Sequence, residues 1–272
     1  MNNVLSDFHI HTLYCDGNNT VREMIEAAIG KGLHSLGFSG HGNISFDDTF
    51  GTPLEKMPLY IQEVRALQQE YRDRIHIFLG IENDSMDIQP TAGYDYSIGS
   101  VHYVYYGGCY HSPDDTVEKF ARSLHEYFAD DPYLFARGFF AEVARNITIS
   151  RPDIVGHLDS FSKLNRGGRF FDESNTIYRR AALEALEVVA EKGAIIEINT
   201  GAVARGYRDT PYPARYLLER MKELRTPIIL NSDAHSTEGI AYGFAETAAL
   251  LYDIGFRERM ELTQGGFVPV KL

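Results

Sequence analysis

Seven short apolar or β-branched runs, separated by longer amphipathic segments, constrain the fold of this 272-residue chain more than any other feature. The predicted strands are VLSDFHIH, SLGFSGH, IHIFLGIE, DYSIGSVHY, DIVGHLD, AIIEINT and PIILNSDAH. Strands that alternate with helical patterns are typical of a parallel sheet. No Gly-x-Gly-x-x-Gly motif follows the first run, which favours a barrel over a dinucleotide-binding sheet. We therefore predict an α/β fold, a (β/α)7 TIM-like barrel, with residues 1–272 forming a single domain.

The segments between these runs carry apolar residues at three- and four-residue spacing, which predicts amphipathic helices. They read TVREMIEAAIGKG, PLYIQEVRALQQEYRDR, TVEKFARSLHEYFADD, YLFARGFFAEVARNI, NTIYRRAALEALEVVAEKG and YPARYLLERMKELR. The first has Thr20 as a capping residue and ends at Gly30 and Gly32, in agreement with helix start and stop signals. The long loop NISFDDTFGTPLEKMP is predicted to form a lid or rim.

Charge and composition exclude several classes of function. The formal net charge of −12 would repel a nucleic-acid backbone, so we expect no nucleic-acid partner. No secretory signal is recognisable, and no stretch approaches the roughly 18 apolar residues that span a bilayer. We therefore expect a cytoplasmic protein without a membrane partner. The two cysteines, Cys15 and Cys109, are too few for a disulfide framework.

Metal-ligating side chains stand at the carboxyl ends of the predicted strands, where barrel enzymes place their active sites. These strand ends carry His9 and His11, His41, Glu82, His102, His157, Asn199 with Thr200, and Asp233 with His235. A single buried histidine is more often structural than a ligand. Six of the ten histidines lie at these positions, however, and this concentration predicts a metal cluster.

The number and type of ligands predict the metal chemistry. Residues i and i+2 of a strand share a face, so His9 and His11 should both point into the barrel mouth while Phe8 and Ile10 pack outward. Eight ligands exceed the three or four that one catalytic ion takes, which predicts two or three divalent ions with Glu82 as a bridge. Histidine and carboxylate ligands suit zinc, manganese or iron. Neighbouring ions favour displacement at phosphorus, which indicates a phosphoesterase.

A phosphorylated substrate also requires cationic side chains. Arg205 in INTGAVARGYR follows the sixth strand and is the preferred residue for gripping phosphate oxygens. Weaker predictions for substrate contact are Arg208 on the same loop, Lys163, Arg166 and Arg169 in SKLNRGGR, and His111, which could reach the site from a hairpin. The remaining histidines, His34, His76 and His125, are predicted to be structural or exposed.

The order of these motifs resembles the PHP (polymerase and histidinol phosphatase) superfamily. The motifs that carry the resemblance are His9-x-His11, SGH ending at His41, Glu82, GSVH ending at His102, GHLD and SDAH. The stretches CDGNNT, EINTGA, RGYR and PYP are most similar to its monofunctional histidinol-phosphatase branch. The resemblance spans nearly the whole chain. It implies a distorted (β/α)7 barrel with a trinuclear metal centre that hydrolyses L-histidinol phosphate, a small phosphorylated substrate, in histidine biosynthesis.

The resemblance also implies a ligand set. The first metal would take His9, His11, Glu82 and Asp233, the second would share Glu82 and add His102 and His157, and the third would take His41 and His235. Many relatives place another histidine after the H-x-H motif, whereas this chain reads TLYCDGNN there. Asp16 is the predicted substitute in the third site.

The mechanistic hypothesis is attack of a metal-bound hydroxide on phosphorus, with Arg205 holding phosphate oxygens and either Asp233 or His235 protonating the leaving alkoxide. Three alternatives stay open. The chain could act on nucleotides or other small phosphate esters with the same metals. It could be an amidohydrolase, whose barrel also carries H-x-H and a late aspartate. It could be a non-catalytic metal-binding module, although the complete set of ligands argues against that.

Overall fold

The computed structural model describes residues 5–272. Its strands are β1 (Ser6–Asp7), β2 (Ser35–Phe38), β3 (His76–Asp84), β4 (Tyr96–Ser100), β5 (Val104–Tyr106), β6 (Cys109–His111), β7 (Ile154–Val155), β8 (Ile195–Asn199), β9 (Ile228–Asn231), β10 (Glu258–Thr263) and β11 (Gly266–Lys271). Its helices are α1 (Val21–Gly30), α2 (Met57–Glu70), α3 (Val117–Tyr127), α4 (Pro132–Ile149), α5 (Thr176–Glu191), α6 (Gly201–Ala204), α7 (Arg215–Leu224) and α8 (Phe244–Ile254). Within these residues, no helix is both long and apolar enough to cross a membrane.

Seven strands form one parallel sheet in the order β1-β2-β3-β4-β7-β8-β9. Backbone hydrogen bonds link its first and last strands beyond their regular pairing: His11 N donates to Ala234 O at 2.9 Å, and Ala234 N donates to His9 O at 3.0 Å. The sheet is therefore nearly closed into a barrel, and helices surround it. The predicted seven-stranded α/β barrel is confirmed, and each predicted run overlaps one of these strands, although β3 continues two residues beyond the predicted end at Glu82.

The first helix shows how local sequence determines an element. Thr20 accepts a hydrogen bond from Glu23 N, and the Glu23 side chain accepts one from Thr20 N. This reciprocal capping box satisfies two of the amide groups that a helix start leaves unpaired. The buried face of α1, which includes Val21, Met24 and Ile25, packs against the sheet together with α2.

The interior of the barrel is filled by a layer of apolar side chains beneath the strand ends. It consists of Phe8, Phe78, Tyr96, Ile98, Ile154, Ile195, Ile229 and Leu262. Gly80 leaves room for the Tyr96 ring, because a Cβ at position 80 would lie 2.3 Å from the ring carbon Cζ. The Tyr96 hydroxyl donates to the Phe8 carbonyl at 2.6 Å. This layer closes the barrel below the polar mouth.

Phe8 lies in this interior layer, so the prediction that it packs outward is wrong. Its ring centroid is 5.9 Å from that of Phe78 and 6.2 Å from that of Tyr96. Ile10 does pack outward, in the cluster that includes the buried residues of α1 and α2. Regular pairing of β1 stops at Asp7 and resumes only at Ile10. The irregular link between them interrupts the alternation of side chains, so Phe8 and His9 both face the interior.

Two antiparallel hairpins and α8 lie outside the predicted strand and helix pattern. The β5–β6 hairpin follows β4 at the mouth of the barrel, where the sequence suggested only that a hairpin could bring His111 to the site. The β10–β11 hairpin lies at the other end, beside β9, and contributes Leu262 to the interior layer. The C-terminal hairpin therefore covers the end of the barrel opposite the mouth, which we call the bottom.

Candidate metal centre

The strand ends surround a cavity of about 360 Å³ at the carboxyl edge of the sheet. Predicted ligands in its wall are Asp16, His41, Glu82, His102, His157, Asp233 and His235. His9 and His11 lie below them with fully buried side chains. The structure thus brings all nine predicted metal ligands to one end of the barrel.

Glu82, near the end of β3, is the centre of this cluster. Nitrogens of five histidines surround its carboxylate. The Oε2 atom lies 3.2 Å from His9 Nε2, 3.6 Å from His11 Nε2 and 2.9 Å from His41 Nδ1, and Oε1 lies 3.1 Å from His157 Nε2 and 3.6 Å from His102 Nε2. A carboxylate that divides its two oxygens between two groups of imidazoles has the arrangement required of a bridging ligand.

Asp233 follows β9 and completes a second group with the H-x-H pair. Its Oδ1 lies 3.2 Å from His11 Nε2 and 3.8 Å from His9 Nε2. The residue adopts φ +50°, a left-handed conformation that costs a non-glycine residue about 1–2 kcal/mol. Gly201 makes room for it, because a Cβ there would lie 2.9 Å from Asp233 Oδ2. A strained backbone and the close approach of the Gly201 backbone therefore constrain this carboxylate.

Asp16 lies where the third predicted group needs a ligand. Its Oδ1 is 3.5 Å from His11 Nδ1 and 3.7 Å from His41 Nε2, and its Oδ2 is 3.1 Å from His235 Nε2. The loop after β1 brings this aspartate to the cluster, and the Gly17 amide that follows it donates to Thr12 O at 3.1 Å. Asp16 therefore occupies the place for which the sequence offered no histidine.

Unpartnered atoms show that the cluster fits metal ions. Buried atoms without a hydrogen-bond partner include His9 Nε2, His11 Nε2, Asp16 Oδ1, Glu82 Oε2 and His157 Nδ1. Such atoms destabilise a fold by about 1–3 kcal/mol each unless a ligand satisfies them. Three groups have ligand atoms within 4.8 Å of one another: His9, His11 and Asp233; His41, Glu82 and His102; and His11, Asp16, His41 and His235. Their nitrogen and oxygen donors match zinc, manganese or iron.

The grouping differs from the ligand set that the resemblance implies at His11 and at His41, and His11 stands with the Asp16 group as well as with His9 and Asp233. His41 stands with Glu82 and His102 as well as with the Asp16 group, whereas the resemblance assigned it to the third metal alone. The His157 ring contacts Glu82 Oε1 through Nε2. His11 and His41 each therefore lie between two groups.

Electrostatics within the cluster keep the carboxylates charged and one central imidazole neutral. Burial, together with His235 and His41, lowers the pKa of His11 to about 3, so its ring keeps a free lone pair. Burial raises the pKa of Asp233, but Arg205 and His9 outweigh it and hold that pKa well below its ordinary value. Burial likewise opposes ionisation of Glu82, and His41 and His9 hold its pKa well below the ordinary range.

Two carboxylates that were not predicted from the sequence contact the predicted histidine ligands and orient them. Glu197 Oε1 lies 2.6 Å from His9 Nδ1, and its Oε2 accepts from His157 N at 2.9 Å. Asp84 Oδ2 lies 3.2 Å from His102 Nδ1. Such partners fix the tautomer of a ligating histidine and leave its other nitrogen to the metal. Glu197 is a lone charge inside an apolar strand, and this signal could have identified it.

Arg205 reaches the cavity from the end of α6. Its Nη1 donates to the Asp233 carbonyl at 2.9 Å and lies 2.7 Å from His235 Nδ1, while Nη2 donates to Asp233 Oδ2 at 3.1 Å. The guanidinium therefore positions two predicted ligands as well as lining the cavity. Lys163 lines another part of the wall, with Nζ 5.3 Å from the centroid of the Tyr207 ring.

The structure does not bring Arg208 and His111 into this cavity. Arg208 donates to Ser162 O at 3.1 Å and to Glu173 at 3.4 Å, and the nearly buried guanidinium joins neighbouring loops. The His111 ring lies 3.1 Å from Ser123 Oγ and packs against aromatic side chains, so it joins the β5–β6 hairpin to α3. Both side chains are engaged in packing, which sequence position alone could not show.

The fold and the ligand cluster define a class of proteins: parallel α/β barrels whose strand ends carry a group of metal-ligating side chains. The sequence pattern of the PHP domain family matches residues 7–201. The chain belongs to this family, as its motifs predicted. The matched segment ends before Asp233 and His235, which the structure adds to the same cluster.

Relatives with curated names lie in the branch that the motifs indicated. The chain is 31% identical over 264 residues to a Deinococcus radiodurans protein named "Probable histidinol-phosphatase", and the match covers 93% of this chain and 95% of the relative. It is 25% identical over 260 residues to the histidinol-phosphatase of Bacillus subtilis, with 88% and 96% covered. The solved structure of histidinol phosphate phosphatase from Lactococcus lactis, complexed with zinc, L-histidinol and phosphate, superposes with a TM-score of 0.71. That structure is 23% identical, and the match covers 97% of this chain and 98% of that one.

Proposed function

We propose that this chain is a metal-dependent phosphomonoesterase that hydrolyses L-histidinol phosphate to L-histidinol and phosphate. The observation that carries the proposal is the set of buried, unpartnered ligand atoms beneath a cavity that also holds Arg205 and Lys163. A cluster of cations with nearby basic side chains suits a phosphate ester. Similarity over 93% of the chain to a relative named as a histidinol-phosphatase supports the choice of alcohol.

The metal assignment is part of the proposal. One divalent ion would be held by His9, His11, Glu82 and Asp233. A second would be held by Glu82, His41, His102 and His157. A third would be held by Asp16, His11, His41 and His235. His11 and His41 each lie beside two of these groups, but a neutral imidazole offers one free lone pair, so each would bind one ion at a time. Bound there, divalent ions would stabilise the charge that develops on the phosphoryl group and would activate water for attack.

The chain's own residues orient the reacting groups. Arg205 donates to the carbonyl and the carboxylate of Asp233, and these contacts leave other guanidinium N–H groups for a phosphate oxygen. Lys163 supplies a second positive charge in the cavity wall. Both cations reduce the repulsion that a phosphate dianion would meet in a chain with a net charge of −12.

Proton transfer requires a donor for the leaving alkoxide. Arg205 and His9 outweigh burial and hold the pKa of Asp233 well below its ordinary value, so this carboxylate stays ionised and is unsuited to donate a proton. Of the two residues that the sequence analysis offered as the general acid, His235 at the cavity rim is therefore favoured. His235 can donate only when its Nε2 is not occupied by an ion in the third group, so we propose that two ions suffice for turnover.

The test is phosphate release from L-histidinol phosphate by protein loaded with zinc or manganese, with a mononucleotide and p-nitrophenyl phosphate assayed in parallel. We expect turnover of histidinol phosphate to exceed that of the nucleotide by orders of magnitude. Hydrolysis of the nucleotide alone would retain the metal cluster and reject the substrate. A metal-loaded protein that releases phosphate from none of these esters would reject the enzymatic function itself.

A further inference from the structure

The first and last strands of the barrel meet along a seam between residues 7–11 and residues 231–234, which we call the β1–β9 seam. Near the mouth, main-chain hydrogen bonds join the two segments at Ala234. Deeper in the barrel, side chains make further links: Phe8 N donates to Asn231 Oδ1 at 3.0 Å, and Ser232 N donates to Asp7 Oδ1 at 3.0 Å. Predicted metal ligands lie on both sides of this seam.

Asp7 links β1 to two points of the chain through one carboxylate. Its side chain is fully buried. Its Oδ2 accepts from the Ser232 hydroxyl and, at 3.1 Å, from Ala241 N, while Oδ1 accepts from Ser232 N. Ser232 directly precedes Asp233, and Ala241 lies between His235 and α8. The Asp7 carboxylate therefore holds the chain before and after the segment that carries these two predicted ligands.

Left-handed backbone occurs at both of these points. Asp233, next to Ser232, adopts φ +50°, and Ala241 adopts φ +53°. Non-glycine residues keep this conformation only where the surrounding structure holds it, and a local interruption of a strand ladder can turn a side chain towards an active site. The contacts of Asp7 with Ser232 and Ala241 are therefore suited to fix the direction in which Asp233 enters the mouth.

The same aspartate belongs to the segment that carries the H-x-H pair. His9 and His11 follow it in SDFHIH, and their Nε2 atoms lie 3.8 Å and 3.2 Å from Asp233 Oδ1. These three ligands come from opposite ends of the chain. The distances between them therefore depend on how the β1–β9 seam is joined.

We propose that Asp7 is a positioning residue of the metal centre: its carboxylate joins the H-x-H segment to the segment of Asp233 and so preforms the ligand group that binds one divalent ion. That group consists of His9, His11 and Asp233. Asp7 acts on it through the main chain and the hydroxyl of Ser232. The inference rests on the proposed function, because it concerns an ion that the proposed enzyme would hold.

The test measures zinc binding by the full-length chain in competition with a chelator, for the unmodified protein and for Asp7→Asn. The asparagine keeps the size of the side chain, but its amide nitrogen cannot accept a hydrogen bond, so at least one link to Ser232 or Ala241 is lost. We expect the zinc affinity of one binding step to fall about 10- to 100-fold, as when a group that orients metal ligands is removed. Asp233→Asn identifies that step, because it changes a ligand of the same group.

Activity and a second variant give further readouts. For Asp7→Asn, kcat/KM for L-histidinol phosphate at limiting zinc should fall with the affinity, and kcat should recover at saturating zinc. Ser232→Ala removes only the hydroxyl link and should weaken the same binding step about two- to tenfold. In the double variant the two losses should be less than additive, because both changes break one contact.

Glu261→Gln is the matched control, because Glu261 is also a buried carboxylate that accepts a hydrogen bond from β1, from Ser6 Oγ at 2.9 Å. It should lower stability towards urea and leave every zinc-binding step unchanged. If Asp7→Asn behaves in the same way, Asp7 serves stability alone and the proposal is overturned. Equal weakening of all zinc-binding steps in Asp7→Asn would also overturn it.

Two further outcomes keep the test decisive. If Asp7→Asn does not fold, Ser232→Ala decides, and an unchanged zinc affinity in that variant would reject the positioning role. The proposed function fails separately, when the unmodified protein binds zinc but does not hydrolyse L-histidinol phosphate. In that case the zinc affinities still decide whether Asp7 positions the ligand group.

Discussion

The two ends of the barrel both bury polar and charged side chains, but they satisfy them differently. At the bottom, Glu261 of β10 accepts from Ser6 Oγ at 2.9 Å and from Arg259 at 2.8 Å, and it lies 2.8 Å from His34 Nε2. At the mouth, the buried Nε2 atoms of His9 and His11 have no hydrogen-bond partner. The Glu261 carboxylate at the bottom is satisfied by the protein itself, whereas these imidazole nitrogens at the mouth are left for a ligand.

This difference distinguishes His34 from the predicted metal ligand His9. His34 and His9 are both within 3.2 Å of a glutamate oxygen, yet only His9 also keeps a buried nitrogen without a hydrogen bond. Unpartnered buried groups destabilise a fold unless binding satisfies them. Metal binding at the mouth should therefore stabilise the fold, because ions bind the folded chain more tightly than the unfolded one.

The largest effect should follow from removing the charge at the centre of the mouth. Glu82→Gln keeps the shape of the side chain but replaces the charged carboxylate, which faces five histidines, with a neutral amide. We expect bound metal, measured by mass spectrometry, to fall by at least one ion per chain, and kcat/KM to fall about 10³-fold or more. His34→Ala at the bottom is the control and should retain both. Full metal content in Glu82→Gln would remove Glu82 from the proposed ligands.

The next largest effect should come from Arg205, which joins the ligands to the cavity. Arg205→Lys keeps the positive charge but cannot reproduce the three contacts of the guanidinium with Asp233 and His235. We expect kcat/KM for histidinol phosphate to fall about 10²-fold. Arg166→Lys is the matched control, since that exposed arginine pairs with Asp209 outside the cavity. Equal activity of the two variants would show that only the charge of Arg205 matters.

A smaller effect should follow from removing the charge of Glu197, which orients the predicted metal ligand His9. Glu197→Gln weakens the contact with His9 Nδ1, and loss of such a partner lowers metal affinity about 10- to 100-fold. Competition with a chelator would measure this change, and activity should recover at high metal concentration. Glu187→Gln, which affects a glutamate paired with Arg220, should leave metal affinity unchanged. A loss of activity that excess metal does not restore would contradict this role for Glu197.

The mouth was easier to predict from the sequence than the bottom, because its signals are local. Histidines at the ends of the predicted strands, and the i, i+2 spacing of His9 and His11, predicted the cluster from local patterns together with the predicted barrel. The same spacing rule failed for Phe8, because regular pairing of β1 stops at Asp7. Periodicity assumes an unbroken strand, and only the structure shows where the strand is interrupted.

Long-range contacts and side-chain directions explain what the sequence could not predict. Glu261 and Ser6 are 255 residues apart, and nothing local to SDFHIH or ERMELT indicates that they meet. Arg208 and Arg205 share one loop, yet the first is used for packing against Glu173 and the second reaches the cavity. Sequence position predicted which residues lie near the mouth, but not which direction each side chain takes.

The smallest effect on activity should come from the bottom of the barrel, where stability should change instead. Burial opposes ionisation of Glu261, but His34, Ser6 and Arg259 outweigh it and lower its pKa below the ordinary value of 4.5. Because the folded state binds this proton less readily than the unfolded state, the stabilisation is complete above about pH 4.5 and is lost as the pH falls through the folded pKa.

For Glu261→Gln we therefore expect the free energy of unfolding at pH 7 to fall by about 1–3 kcal/mol, while kcat/KM of the metal-loaded enzyme stays unchanged. Urea unfolding of the metal-free variant and metal-free parent between pH 7 and pH 4 would measure the difference, which should narrow towards acid. A gap that is the same at every pH would indicate that Glu261 acts through packing and not through its charge. A loss of activity at pH 7 without a loss of stability would show that the two ends of the barrel are coupled. The distinction between a bottom whose Glu261 carboxylate is hydrogen-bonded within the protein and a mouth that depends on a ligand would then no longer hold.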